Sequence, residues 1–147
     1  MKQLFFILAA ALVFSACTST DKPSTVDKDK AIKDTANYTT IQWLDSTEQN
    51  VGKVDAGQVV EISWHFKNSG NKPLVVANVR PGCGCTGAEG PEEPIAPGKE
   101  GVIKAKFDSK NFQGTQHKQV YVMANDHNKN SDGQDILNFI VDVVPKK

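Results

Sequence analysis

From Val60 to Lys67 the chain alternates without a break. Val60, Ile62, Trp64 and Phe66 share one side, and Glu61, Ser63, His65 and Lys67 share the other. Period-two alternation predicts a β-strand with one face buried. Asn68-Ser69-Gly70-Asn71 predicts a turn, and Leu74–Arg80 a further strand. Val102–Asp108 alternates again, with Ile103, Ala105 and Phe107 on one side. His117–Ala124 and Ile136–Val144 complete the strong set. Thr39–Leu44 and Val51–Val54 are weaker strands, and Pro91–Gly101 (PEEPIAPGKEG) is loop and turn. About seven short strands separated by turn signals predict an all-β fold, a sandwich of two stacked sheets. Trp64 shares a face with Val60, Ile62 and Phe66, so it is expected in the core.

The first residues break this pattern. Lys2 precedes an apolar run, Leu4–Phe14 (LFFILAAALVF), of eleven residues. That is short of the roughly 20 residues needed to span a bilayer and fits a secretory leader. Phe14-Ser15-Ala16-Cys17 follows and resembles the bacterial lipoprotein cleavage box, with Phe14 where Leu is usual. The resemblance implies cleavage before Cys17 and acylation of Cys17, which anchors the chain to a membrane. Thr18–Asn37 is polar and charged and cannot bury enough surface to order itself. It is expected to be a flexible tether of roughly 25 Å span. A short helix near Asp27–Thr35 is the alternative, against which stands the lack of an apolar stripe. The expected organisation is thus a leader over 1–16, a lipidated tether over 17–37 and a β-sandwich over 38–147. Thr18 after Cys17 is not the Asp that favours inner-membrane retention in some enteric bacteria. The expected location is the cell envelope, at the outer membrane, facing periplasm or surface.

Composition removes some function classes. The 147 residues carry 17 basic and 17 acidic side chains, so no basic face points to nucleic acid. There is no nucleophile-elbow motif, no phosphate-binding glycine loop and no recognisable acid/base carboxylate pair. Glu92-Glu93 reads as a solvated turn. No cofactor is expected.

Three cysteines are an odd count for an exported chain. With Cys17 assigned to lipid, Cys83 and Cys85 have only each other. In an extended strand, residues two apart lie about 6.6–7 Å apart, at the edge of bridging range, and a bend at Gly84 shortens that. The readings left open are a local disulfide or thiol pair, a soft-metal site, a redox pair and two inert residues. His65 and His117 are the histidines that a copper or zinc site could add. Two further motifs stand out. Asp126–Gly133 (DHNKNSDG) has oxygen side chains at alternate positions like a calcium loop, but Ser131 stands where glycine is needed, so a solvated hairpin loop is expected. Asp34-Thr35-Ala36 and Asp45-Ser46-Thr47 resemble the Asp-(Ser/Thr)-small or apolar sites at which some Gram-negative bacteria O-glycosylate exported proteins.

Several segments occur together in one order: Phe66-Lys67-Asn68-Ser69-Gly70, Pro73-Leu74, Cys83-Gly84-Cys85-Thr86, Pro94-Ile95-Ala96-Pro97-Gly98, Ile103, Phe107-Asp108, Lys118–Val122 and Asn125. This order resembles the bacterial family called domain of unknown function 1573, over roughly Phe66–Asn125. The resemblance implies an immunoglobulin-like sandwich, related to ASH-like modules, often carried on exported lipoproteins. It implies no catalytic residues. The expected function is therefore a lipid-anchored, non-enzymatic envelope module that binds or scaffolds a protein partner. The alternative is a metal-handling or thiol-redox protein using Cys83 and Cys85. Tyr121 and Met123 alternate away from Val120 and Val122, and either form an exposed patch or pack in a second layer.

Overall fold

In the computed structural model, which describes residues 27–127 and 133–146, the strands are β1 Ile41–Trp43, β2 Glu48–Asp55, β3 Val59–Asn68, β4 Val76–Pro81, β5 Thr86–Glu89, β6 Glu100–Asp108, β7 Gly114–Ala124 and β8 Asp135–Val144. They form two four-stranded sheets, ordered β1-β3-β6-β5 and β2-β8-β7-β4. This is the constant-type immunoglobulin arrangement with the first strand divided between the sheets. Leu44 N–H still bonds His65 C=O at 2.9 Å. Asp45–Thr47 then carries the chain across, and β2 runs parallel to β8. Seven of these strands answer the expected set, and β5 is the addition. Its four residues, Thr-Gly-Ala-Glu, have no apolar alternation. It exists through its ladder to β6, from Thr86↔Phe107 to Glu89↔Lys104, as a short edge strand.

The alternation becomes the core. Ile62, Trp64 and Phe66 of β3 face Ile103, Ala105 and Phe107 of β6 and, across the sandwich, Val120 and Val122 of β7 and Leu137, Phe139, Val141 and Val143 of β8. Trp64 and Phe66 are fully buried. A Cβ at Gly101 would lie 2.5 Å from Phe66 Cζ, so the ring requires glycine opposite it. Trp64 Nε1 is the buried side-chain polar atom without a hydrogen-bond partner among the described residues. Burying an indole contributes about 4–6 kcal/mol, which outweighs the roughly 1–3 kcal/mol of an unpaired donor. Shape therefore wins over satisfaction at this position.

One end of the sandwich is closed by buried amides. The Asn125 carboxamide oxygen accepts from Val75 N–H at 2.7 Å, and its Nδ2 donates to Asn37 C=O at 2.7 Å and Pro73 C=O at 3.0 Å. Asn68 Nδ2 donates to Lys72 and Ile95 C=O, and its Oδ1 accepts from Thr39 Oγ1 and Gly70 N–H. Asp126 Oδ1 accepts from Ile41 N–H at 2.9 Å. Asp126 thus serves the fold. Positions 128–132 of the calcium-like motif lie outside the described residues.

The tether expectation over 17–37 needs correction where the chain is described. Lys28–Lys33 forms a helix, α1, followed by a 3₁₀ turn at Thr35–Asn37. Asp27 caps α1 by accepting from Lys30 N–H, and Asp34 caps the turn by accepting from Ala36 N–H. Ala31 is buried, Tyr38 O–H donates to Ile32 C=O at 2.8 Å, and Lys72 Nζ donates to Ala36 C=O. A strap this short docks by one small residue, caps and backbone bonds, none of which leaves an apolar stripe in the sequence. Cys17 and the leader lie outside the described residues.

Asn125→Ala leaves the Val75 N–H and two carbonyls without protein partners. It is expected to lower unfolding stability by about 3 kcal/mol, read as a fall in the urea midpoint at unchanged slope. A loss below 1 kcal/mol would show that the amide does not hold this end together.

Candidate interaction face

The Cys-Gly-Cys segment is the crossover from β4, in the second sheet, to β5, in the first. Gly82 N–H holds Gln119 C=O at 2.8 Å, and Thr86 N–H closes a turn onto Cys83 C=O at 3.3 Å. Cys83 and Cys85 are joined by a disulfide, with their Cα atoms 5.3 Å apart. The bend at Gly84 has drawn them well inside the extended-strand separation. The Thr86 hydroxyl, itself buried, lies 3.5 Å from Cys83 Sγ and 3.8 Å from Cys85 Sγ. Cys85 packs against the core, and its carbonyl accepts from Asp108 N–H. The bridge shapes the crossover.

The four metal candidates do not assemble. Asp108, bonded to Cys85, pairs with Val59, and His65 stands six residues further along β3, about 20 Å away at the strand rise. His117 belongs to the other sheet. Among the described residues, no three His, Cys, Asp or Glu side chains are placed to hold a metal ion. His65 is instead held by Asp45, whose Oδ2 lies 2.7 Å from both its backbone N and its Nδ1. The His65 backbone N–H, and then its ring, hold the Asp45 carboxyl below its ordinary value. Whatever stability this contributes is present above the ordinary carboxylate range and fades as pH falls through the lowered value. Both groups are substantially exposed, so the effect is small.

The two outer faces differ in kind. On β1-β3-β6-β5 most outward cross-strand partners are charged or polar: Glu61 with Lys106, bridged at 3.2 Å, Lys67 with Glu100, Ser63 and Glu89 with Lys104; Val59 opposite Asp108 and Val102 opposite His65 are single apolar residues among them. That is a solvated face of the ordinary kind. On β2-β8-β7-β4 the partners are Arg80 with Tyr121, Asn78 with Met123, Tyr121 with Ile136 and His117 with Ile140. Tyr121, Met123, Ile136 and Ile140 are half-buried with no further layer of strands over them. The Arg80 guanidinium sits 4.9 Å over the Tyr121 ring. The Tyr121 hydroxyl donates to Gln119 Oε1 at 3.0 Å, and Gln119 Nε2 donates to Asn138 Oδ1 at 3.1 Å. These bonds link the side chains in a polar ladder. Beside it lies a depression of about 430 Å³ lined by Glu48, His117, Gln119, Asn138 and Ile140.

Tyr121 and Met123 were legible as alternating away from the core. Arg80, Ile136 and Ile140 were not singled out. The available signal was β8 itself, Asp-Ile-Leu-Asn-Phe-Ile-Val-Asp-Val-Val, whose apolar residues fill both faces where a one-sided strand would alternate.

Solved structures with this fold include a protein of unknown function from Porphyromonas gingivalis W83, at 16% identity and TM-score 0.61, covering 74% of this chain and 49% of that one. The ASH/PapD-like domain 7 of human CEP192 matches at 7% identity and TM-score 0.54, over 76% of this chain and 89% of that one. The secreted serine protease VesC from Vibrio cholerae matches at 10% identity and TM-score 0.52, over 80% of this chain and 25% of that one. This chain thus spans about half the Porphyromonas gingivalis protein and a quarter of VesC. At these identities the likeness is one of fold. No curated protein matches the sequence. The model of the family described as protein of unknown function (DUF1573) matches residues 41–136, from the start of β1 into β8, and the chain belongs to that family.

Proposed function

We propose that the protein is a non-enzymatic binding module that holds a protein partner on the outer face of β2-β8-β7-β4, presented at the bacterial envelope by a lipid on Cys17. One observation carries the binding face: the contrast between an outer face of charged and polar pairs with single valines among them and one on which Tyr121, Met123, Ile136 and Ile140 stand beside Arg80. Tyrosine and arginine are the side chains over-represented where interface energy concentrates. Rigid aromatic and amide groups also bind at little entropic cost, because hydrogen bonds already fix them. The anchor reading rests on the Leu4–Phe14 run and the Phe14-Ser15-Ala16-Cys17 box. The disulfide leaves Cys83 and Cys85 without a thiolate to offer a metal, which favours binding over metal handling.

A photoreactive residue placed at Met123 in the full chain, expressed in its own cell, is expected to give a covalent adduct of one defined mass. The same residue at Ser63, on the charged face, gives none. Tyr121→Ala should weaken the Met123 adduct at least about tenfold. Adducts from Ser63 alone, or a Met123 adduct indifferent to Tyr121, would overturn the assignment. Cys17→Ser should move the protein from the membrane to the soluble fraction; retention on membranes would remove the anchor. Closing a three-residue loop constrains the unfolded chain by only about 1.6 kcal/mol. The Cys83→Ser, Cys85→Ser variant should therefore unfold only slightly more easily and keep the Met123 adduct. Loss of the adduct with the fold intact would favour the thiol reading.

A further inference from the structure

Three aspartates are followed directly by a hydroxyl residue within the described chain: Asp34-Thr35, Asp45-Ser46 and Asp108-Ser109. The fold treats them differently. Ser109 is fully buried, and its hydroxyl lies within bonding distance of Asp55 C=O at 3.0 Å and Gln58 C=O at 2.8 Å. It is a structural hydroxyl, and the bulky Lys110 follows it. Ser46 is exposed, but its Oγ donates to Glu48 C=O at 2.7 Å and lies 3.2 Å from Glu48 N. Thr35 is exposed, and its hydroxyl makes no hydrogen bond among the described residues.

The surroundings of Thr35 display it. The Asp34 carboxylate accepts from Ala36 N–H at 3.0 Å and from Asn37 Nδ2 at 3.0 Å. Those bonds fold 34–37 into a turn, with Thr35 as its first residue. Ala36 offers no bulk beside the hydroxyl. Asn125, Lys72 and Tyr38 hold the strap from below, so the turn keeps its shape while its outer side stays open. A modifying enzyme needs a hydroxyl it can surround and deprotonate, and a bulky adduct is tolerated only at the surface.

We infer that Thr35 is an O-glycan acceptor, with Ser46 the lesser site and Ser109 none. In the transfer, Thr35 Oγ attacks the anomeric carbon of a polyprenyl-diphosphate-linked oligosaccharide, which is the co-reactant. The Oγ–C bond forms, the anomeric C–O bond to phosphate breaks, and the diphosphate leaves with the electron pair. The hydroxyl proton passes to a base on the transferase. The glycan then stands at the base of the domain, between the segment that leads back to Cys17 and the sandwich. The inference shares with the proposed function the reading that the chain is exported. It is independent of the binding face.

The full chain is purified from the membranes of its own cell and its intact mass compared with that of the lipidated polypeptide. The expected result is an excess made of sugar units, located at Thr35 by electron-transfer fragmentation. Thr35→Ala removes most of it, Thr35→Ser keeps it, and Ser109→Ala leaves it unchanged. A lipidated chain with no sugar would overturn the inference while leaving the anchor standing. So would a glycan found on Ser46 but not on Thr35.

Discussion

The carboxamide of Asn125 does in one place what a sandwich of this kind needs done several times. Two stacked sheets bury their inner faces readily, but their ends leave irregular backbone facing the core. A buried carbonyl or N–H without a partner costs about as much as a core methyl group contributes. Asn125 supplies partners to Val75, Pro73 and Asn37, while its own backbone bonds Val75 and Thr39. Asn68 does the same for Lys72, Ile95 and Gly70 from the opposite sheet. Together they tie the strap, the β3–β4 turn, the Pro94–Gly98 loop and the end of β7 into one closed end. The first strand starts from that end and divides further along, at Asp45–Thr47, half of it pairing β3 and half pairing β8.

Two sheets around one core still leave two outer faces, and nothing in the core decides what those faces carry. On the β3–β6 side the outward positions are mostly polar, broken only by the single valines Val59 and Val102, and opposite charges meet across the strands. Such pairs contribute little to stability, but they keep a face wet and unattractive to partners. On the β7–β8 side the outer positions carry tyrosine, methionine and isoleucine. Leaving that area in water forgoes burial worth about 25 cal/mol for each Å². A monomer gains nothing by it, whereas a chain that meets a partner does. The asymmetry therefore separates outer positions that are already solvated from outer positions on which burial would still release free energy.

Much of this was legible because alternation is a local signal with one physical cause. Trp64 and its neighbours announce a strand and a buried face in eight residues. β5 was hidden, since Thr-Gly-Ala-Glu has no pattern and becomes a strand only through β6. The helix of the strap was visible only as the alternative to a tether, and its docking was hidden for a related reason. Its docking rests on one alanine and on hydrogen bonds to residues far away in sequence, and neither leaves a periodicity. The buried asparagines lay in plain view as members of the segments shared with the family, but their role needs four separated pieces of chain in one place. The outer face of β7 and β8 fell between these cases. Tyr121 and Met123 could be seen leaving the core, while their cross-strand neighbours Arg80 and Ile136 depend on register.

The strap couples the N-terminal segment to the closed end of the sandwich. The family match begins at residue 41, so α1 and its 3₁₀ turn precede the shared domain. A six-residue helix is far too short to hold itself in water, and α1 and the turn that follows it are ordered only by what they touch. One of those contacts is Asn37 C=O on Asn125, the same amide that closes the sandwich. Anything that loosens the strap therefore strips a partner from a buried amide, and the domain resists it. The strap is thus attached to one of the two buried amides that close the sandwich. Its stiffness follows from hydrogen-bond satisfaction, because the strap has almost no apolar surface of its own to bury.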